Sequence, residues 1–234
     1  DPTRVLRAAR YAARLAFELA PEALDQVTTT LQAWPWDWRL GDDPDQAPPA
    51  LATRLRMELE LLLEREPWPV ALALLQRWGG LALLDPGLQR DRTWGRRLRW
   101  AARLGAPALP ALLAAADDPL ALVRRLRLPH GQQALLARAR QLEQHLPQIP
   151  WPSLPSQWCA QLEAQPGGAD AVALLLAMGG QPRRPLLRWW CCWRHVVSPL
   201  DGAALRQRGW PPGPALGAEL KRLRAEELDR QCQP

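Results

Sequence analysis

The sequence predicts an all-α fold, and three features of its 234 residues carry the prediction. Leucine and alanine dominate the 47% of residues that are hydrophobic, whereas valine, isoleucine and threonine, which favour strands, are scarce. Apolar residues recur at i, i+3 and i+4, the spacing of one helix face, as at Leu109, Leu112 and Leu113. Prolines (25) and glycines (15) interrupt these stretches, so the chain is expected to form many short helices.

Each stretch between interruptions is interpreted as one helix. The expected helices cover about 2–20, 21–31, 48–66, 70–78, 92–104, 107–116, 132–146, 157–165, 169–178 and 185–197, with a last one from a Pro-Gly-Pro turn to about 229. A loop that contains Trp34, Trp36 and Trp38 is expected before residue 48. These tryptophans could stack on RNA bases, but anchoring the loop to a core is the simpler interpretation.

The distribution of prolines suggests three domains in an elongated multi-helix array. Their expected ranges are 1–66, 67–150 and 151–234. The clearest linker is PQIPWPSLP at 147–155, which its prolines should make stiff. No repeat of fixed period is visible, which argues against a solenoid.

The first helix carries a row of arginines with a carboxylate at its leading end. Arg4, Arg7, Arg10 and Arg14 fall within a sector of about 120°, and Asp1 lies one turn before Arg4. Val5, Leu6, Leu15 and Phe17 are among the apolar residues assigned to the rest of the circumference. A carboxylate accepts hydrogen bonds and a guanidinium donates them, so the pair could read the edge of a nucleobase. An ordinary solvated arginine face is the alternative.

The run DPTRVLRAARYAARLAFELAPE, residues 1–22, resembles the neck motif of class II tRNA nucleotidyltransferases, the family of CCA-adding enzymes and related bacterial poly(A) polymerases. The resemblance implies that Asp1 and Arg4 form an amino-acid template that pairs with incoming CTP or ATP. It implies further nucleotide contacts by Arg7 and Arg10. The glutamate that precedes the aspartate in the family is absent because the chain begins at Asp1, and Tyr11 replaces the usual phenylalanine.

A second stretch, ATRLRMEL at 52–59, resembles the later neck motif of the same family, with threonine in place of its glutamate. Arg54, Arg56 and Glu58 would then support the neck. Read locally, Arg54–Glu58 and Arg56–Glu60 are i,i+4 pairs on a helix, each contributing about 0.2–0.5 kcal/mol. A purely structural role for these residues is an equal alternative.

Near the carboxyl end, DGAALRQRGWPPGPALG at 201–217 resembles the family's tail signature. Backbone N–H groups after Gly213 could take an RNA phosphate, because the first turn of a helix leaves them free. Arg183, Arg184 and Arg188, with Arg194, form one basic cluster, and Lys221 belongs to a second one with Arg222 and Arg224. The resemblance implies that these clusters contact the tRNA backbone; solvated helix faces are the alternative.

The resemblance lacks one part of the family pattern, the amino-terminal head whose Asp-x-Asp pair holds two Mg²⁺ ions. Asp43 and Asp45 have that spacing but lie in a proline-rich loop without a strand signal, so they are interpreted as loop acids. We therefore expect the neck, body and tail of an enzyme whose Mg²⁺ is bound by a head outside this chain, and no activity of the chain alone. CTP and ATP are the expected substrates and tRNA the expected partner. Alternatives are CC-only or A-only addition, a poly(A) polymerase, or a non-catalytic helical RNA-binding or scaffold protein; the oligomeric state stays open.

Composition fits a cytoplasmic protein associated with nucleic acid. The net charge is +6, and Lys221 is the single lysine among 30 basic residues. The four cysteines and three histidines show no spacing typical of a disulfide or metal framework. The apolar segment WWCCWRHVV at 189–197 is too short to cross a bilayer, so we expect no membrane association and a role in core packing.

Overall fold

The computed structural model describes residues 1–33, 43–148, 150–165 and 167–231. Every regular element in these ranges is helical and none is a strand, which confirms the all-α prediction. The expected roles of Trp34, Trp36 and Trp38 lie outside the described residues.

The chain divides into two compact units, 1–137 and 138–234, with their boundary inside one helix. The division into three domains at 66 and 150 stays a prediction. In the described part of the first unit the helices are α1 (Thr3–Leu15), α2 (Pro21–Gln32), α3 (Pro49–Arg65), α4 (Trp68–Arg77), α5 (Pro86–Arg90), α6 (Trp94–Leu104), α7 (Ala108–Leu113), α8 (Pro119–Arg125) and the start of α9 (His130–His145).

The core of the first unit forms where α1 packs against α3 and α4. Val5, Leu6 and Ala9 follow helical spacing on α1 and are buried, as are Leu59 on α3 and Leu72 on α4. Burying one such leucine contributes about 1.5–3 kcal/mol. This packing fixes the rotation of α1 about its axis and therefore the direction in which its arginine row points.

α1 ends at Leu15, earlier than the expected end at residue 20. Ala16 adopts a left-handed conformation (φ 53°, ψ 39°), and the Phe17 N–H donates to the carbonyl of Ala12 at 3.0 Å. Such a turn terminates a helix and redirects the chain toward Pro21, where α2 begins. Leu15 and Phe17, which were placed on the apolar part of the circumference, are exposed, and Phe17 lies beyond the end of α1.

Three short helices, α5, α8 and α13, were not expected from periodicity. Each begins after an aspartate whose side chain accepts a backbone N–H: Asp85 at 2.6 Å, Asp118 at 2.9 Å and Asp201 at 2.8 Å. At the first two positions the sequence reads Asp-Pro, the pairing of an N-cap with a proline in the first turn. That dipeptide is the signal by which α5 and α8 could have been predicted.

The second unit contains the rest of α9 and, among its described residues, α10 (Pro155–Glu163), α11 (Gly168–Met178), α12 (Arg183–Cys191), α13 (Gly202–Gln207) and α14 (Pro214–Gln231). α10 packs against α12 and α14, and α11 against α12. Trp189 and Trp193 are buried, as expected for the WWCCW segment, but Cys191 and Cys192 are exposed. The helix predicted to reach 197 is wrong, because α12 ends at Cys191 and a short 3-10 turn follows.

Candidate functional site

A cavity adjoins the start of α1, and two residues of the predicted template line it. This cavity measures about 360 Å³ and is formed between α1 and α2. Asp1 and Arg4 lie on its α1 side, together with Val5 and Ala8. α2 and the turn before it supply the opposite side: Leu19, Ala23, Gln26, Val27, Thr29 and Thr30.

The carboxylate of Asp1 is held at the start of α1. Its Oδ1 accepts the Thr3 backbone N–H at 3.0 Å and the Thr3 hydroxyl at 2.9 Å. Thr3 is buried, so the anchor of this carboxylate is fixed by the core. Within the described residues Oδ2 has no such bond, and it is the oxygen left to accept a hydrogen bond from a ligand.

Arg4 lines the same cavity without an acidic partner. Its side chain is exposed, and in the part of the chain that the structure describes it forms neither an ion pair nor a side-chain hydrogen bond. Its backbone N–H donates to the Asp1 carbonyl at 3.0 Å, which keeps the two residues one turn apart. The cavity thus combines a carboxylate, a free guanidinium, an amide and hydroxyls, which are the donors and acceptors needed at a nucleobase edge.

Further along α1 the arginines bind two carboxylates from α3 and its end. Arg7 Nε donates to Glu58 Oε1 at 2.5 Å, and Arg10 Nη1 donates to Glu58 Oε2 at 2.6 Å. Arg10 also donates to Glu66 at 3.1 and 3.2 Å, and Arg14 donates to both oxygens of Glu66. Arg10 is buried, whereas the side chains of Arg7 and Arg14 are 52% and 48% exposed.

These ion pairs fix the charges of the groups involved. Hydrogen bonding to Glu58 raises the pKa of Arg7, and bonding to Glu66 raises the pKa of Arg14. The hydrogen bond from Arg14 holds the pKa of Glu66 below its ordinary value, with Arg10 adding to this against the opposing effect of burial. The network ties α1 to α3 and so holds the start of α1, with Asp1 and Arg4, in place.

The predicted neck-support residues differ from one another in their contacts. Glu58 is buried and binds Arg7 and Arg10 of α1, so the expected Arg54–Glu58 pair is wrong. Arg56 does pair with Glu60, at 3.6 Å, and also donates to a backbone carbonyl, that of Arg127. Glu66, the second carboxylate of the network, was missed by the sequence analysis. The sequence feature that could have indicated Glu66 is an acidic residue at the carboxyl end of a helix, where the helix dipole disfavours negative charge.

α2 supplies a side of the cavity that sequence reasoning did not identify. Thr28 and Thr29 turn their hydroxyls back onto carbonyls of their own helix, at 3.1 and 2.9 Å. Gln26 and Thr30 reach the cavity from the same helix. A run of three threonines inside a helix is unfavourable by propensity, and that run was the available signal that α2 has a role other than core packing at this point.

In the second unit the first basic cluster is partly engaged. Arg183 donates to the Leu176 carbonyl at 3.1 Å, while Arg184 and Arg188 are exposed on α12. Arg194 lies over the ring of Trp190, 3.7 Å from its centroid.

The second basic cluster is largely neutralised by acids. Arg222 binds Glu219 and Glu226, and Arg224 binds Glu163 at 2.7 Å. Lys221 is exposed and lines a cavity of about 740 Å³ beside Arg224. Gly213 has φ 141°, a conformation that favours glycine, immediately before α14.

Over the described residues, no helix combines the length and apolar character that crossing a membrane requires.

Comparisons with known proteins give a consistent picture. No established protein-family profile matches the chain. Over 192 residues, 80% of its length, the chain is 36% identical to the CC-adding tRNA nucleotidyltransferase of Deinococcus radiodurans, of which it covers 46%. It therefore spans about half the length of the curated relative that it matches.

Solved structures share the fold. The chain aligns over its whole length with 58% of the Thermotoga maritima CCA-adding enzyme in a complex with tRNA, at a TM-score of 0.64 and 16% identity. It aligns over 98% of its length with 56% of a CCA-adding enzyme in a complex with ATP, at a TM-score of 0.65 and 17% identity. At such identities the likeness shows the fold alone.

Proposed function

Because the chain belongs to the tRNA nucleotidyltransferase family, we propose that it selects the nucleotide and holds the tRNA in an enzyme that adds CCA, or part of it, to the tRNA 3′ end. The observation that carries the proposal is the cavity on which Asp1 and Arg4 converge. The names of its relatives support it, since they describe CC addition and complexes with ATP, CTP and tRNA.

In this proposal Asp1 and Arg4 pair with the base of CTP or ATP. Oδ2 of Asp1 accepts an exocyclic amino proton, which cytosine and adenine both carry, and Arg4 donates to a ring nitrogen or carbonyl. Gln26 and Thr30 face them across the cavity. A good bidentate contact discriminates against a wrong base by roughly 1–3 kcal/mol, so protein groups suffice to choose the nucleotide.

Arg7 and Arg10 take different parts in the same proposal. Arg7 is half exposed and can still donate from its remaining N–H groups to a nucleotide phosphate. Arg10 is buried between Glu58 and Glu66, and it acts by positioning α1.

Nucleotidyl transfer itself needs the two Mg²⁺ ions that the family binds through an Asp-x-Asp pair ahead of the neck motif. We propose that a segment outside these 234 residues supplies this chemistry and that the chain alone does not polymerise. The exposed Arg184, Arg188 and Lys221, with the turn at Gly213, hold the tRNA backbone in the complete enzyme.

Nucleotide selection is tested by Arg4→Ala in the complete enzyme that contains this chain. Single-nucleotide incorporation from CTP, ATP, GTP and UTP should lose about 5–150-fold of its discrimination, while tRNA affinity stays near the wild-type value. Arg65→Ala is the matched control, since it also removes an exposed arginine from the first unit but lies at the far end of α3. Unchanged selectivity in the Arg4→Ala enzyme would refute the template.

The tRNA contact is tested by Arg184→Ala combined with Arg188→Ala. Loss of two phosphate contacts should weaken tRNA binding and reduce the slope of log K against log salt by about 1.4–1.8. The matched control, Arg222→Ala with Arg230→Ala, removes two charges that Glu219, Glu226 and Glu227 already neutralise. Equal effects of the two double variants would assign the cluster to general surface charge.

Addition of CC alone is a second candidate, favoured by the name of the Deinococcus radiodurans relative. Incubation of the complete enzyme with CTP, ATP and a tRNA that lacks CCA decides between them. Products that stop after two cytidines indicate CC addition, and products extended by a terminal adenosine indicate CCA addition.

A further inference from the structure

α6 carries a row of exposed arginines that neither the neck motif nor the tail clusters include. Arg96 and Arg99 lie on the helix and Arg92 just before it, with Arg103 one turn beyond Arg99. Viewed along the axis of α6, Arg96, Arg99 and Arg103 fall within a sector of about 60°, and they span about 10 Å along that axis. All four are exposed.

These arginines are not neutralised by the fold. In the described residues none of the four side chains forms an ion pair or a hydrogen bond. Arg103 lies over the Trp100 ring, 5.6 Å from its centroid. The contrast on the same helix is Arg97, which is buried and bound to Asp91 and to the Ala111 carbonyl. The sequence therefore places one arginine of α6 in the core and keeps the others on the surface without an internal counter-charge.

The position of the row is unfavourable for α6 itself. Positive charge near the amino end of a helix is disfavoured by its dipole, and Arg96 lies in the first turn, where α6 has no acid. Like charges three or four residues apart also repel one another. By comparison, Arg65, Arg77 and Arg124 occupy last turns of their helices, where the dipole favours them. Local stability thus accounts for those arginines but not for Arg92, Arg96 and Arg99.

We propose that the α6 row binds the phosphate backbone of RNA. Repeated guanidinium forks suit phosphate oxygens, which they can bind with two hydrogen bonds each. The choice of RNA among polyanions rests on the proposed function. The contact lies in the first unit, which also contains the Asp1–Arg4 cavity, whereas the tail clusters belong to the second.

The test uses the 234-residue chain with all three substitutions Arg92→Ala, Arg96→Ala and Arg99→Ala. The probe is a tRNA transcript without its CCA end, titrated by filter binding at several salt concentrations. Affinity should fall and the salt slope should decrease by about 2, since each lost phosphate contact removes roughly 0.7–0.9. The control combines Arg65→Ala, Arg77→Ala and Arg124→Ala, which removes the same charge from scattered exposed positions of the same unit.

The melting temperature separates a binding role from a structural one. The substitutions at Arg92, Arg96 and Arg99 should leave the melting temperature unchanged or raise it, because they remove repulsion between like charges and the unfavourable interaction with the helix dipole. A marked fall would assign the row to the fold and overturn the proposal. The proposal is also overturned if the scattered control weakens tRNA binding equally, or if the chain does not bind tRNA. A parallel titration with phosphatidylserine vesicles tests the membrane alternative: a variant that loses vesicle binding but keeps tRNA binding also overturns the proposal. None of these results bears on the Asp1–Arg4 template, which the incorporation assay tests separately.

Discussion

Glu66 follows α3 directly, and its buried carboxylate joins two guanidiniums of α1. An isolated carboxylate in this position would be costly, because it is removed from water and lies at the negative end of a helix. Arg10 and Arg14 compensate both effects. The network therefore depends on the meeting of α1 and α3, residues about 52–56 positions apart in the sequence.

Glu66→Gln should destabilise the first unit by about 3 kcal/mol, the lower end for removing one partner of a buried ion pair, since Arg14 remains half in water. Urea unfolding followed by circular dichroism measures the change. Glu60→Gln is the control, because its pair with Arg56 is longer, at 3.6 Å, and partly exposed, and it should contribute less than about 1 kcal/mol. Equal losses for the two variants would contradict the role of the network.

The same carboxylate should make stability depend on pH. Its pKa is lowered in the folded chain, so its contribution is complete above the unfolded value of about 4.3 and is lost as pH falls through the folded value. Wild-type stability should thus decline on acidification more steeply than that of Glu66→Gln. Parallel profiles of unfolding free energy between about pH 6 and pH 3 would show that Glu66 does not titrate in this way.

At the scale of single helices, α5 is held by a close backbone approach at its second residue. A β-carbon at Gly87 would lie 2.6 Å from Asp117 Oδ1, 2.7 Å from its backbone nitrogen and 2.8 Å from the Ala115 carbonyl. Asp85 caps the helix here and also accepts the Asp117 N–H at 2.9 Å, and burial raises its pKa. The turn that precedes α8 is therefore packed directly on the start of α5.

Gly87→Ala should destabilise the chain by about 1–3 kcal/mol, because the methyl group meets backbone that cannot move aside easily. Gly131→Ala is the matched control: no atom lies within 4 Å of its added β-carbon, and in α9 alanine should stabilise by about 0.4–1 kcal/mol. Thermal unfolding should give shifts of opposite sign. A neutral Gly87→Ala would show that the close approach relaxes without cost.

The sequence predicted the arginine face of α1 better than it predicted the acidic residues that pair with this face. Three-residue spacing placed Arg4, Arg7 and Arg10 on one face, and that face is polar in the structure. Spacing along one helix cannot show which carboxylate from another helix will meet it, so the pairing of Glu58 with α1 was beyond sequence reasoning. The end of α1 was also beyond sequence reasoning, because the left-handed residue that ends the helix is Ala16, with no glycine or proline beside it to indicate a turn.

At the scale of the whole molecule, uncompensated arginines occur in both units. Arg96 and Arg99 in the first and Arg184 and Arg188 in the second have no acidic partner among the described residues, while α14 neutralises most of its own charge. Part of the surplus of +6 lies in these surface rows, and part lies at scattered exposed positions such as Arg65, Arg77 and Arg124. Such rows are expected to dominate the salt dependence of RNA binding.

Combining the three α6 substitutions with Arg184→Ala and Arg188→Ala should lower the salt slope by about 4, the sum of the two separate reductions. The two sets share no partner, so their effects on binding free energy should add within about 0.5 kcal/mol. Filter-binding titrations of the 234-residue chain with the same tRNA transcript measure this. A combined variant no weaker than either parent would indicate that both sets bind the same phosphates.

The most direct measurement is the structure of the complete enzyme, containing this chain, in a complex with CTP. Hydrogen bonds of about 2.7–3.2 Å should join the cytosine edge to the guanidinium of Arg4 and the carboxylate of Asp1, within the cavity between α1 and α2. A cytosine bound elsewhere, or one whose edge contacts neither side chain, would contradict the account.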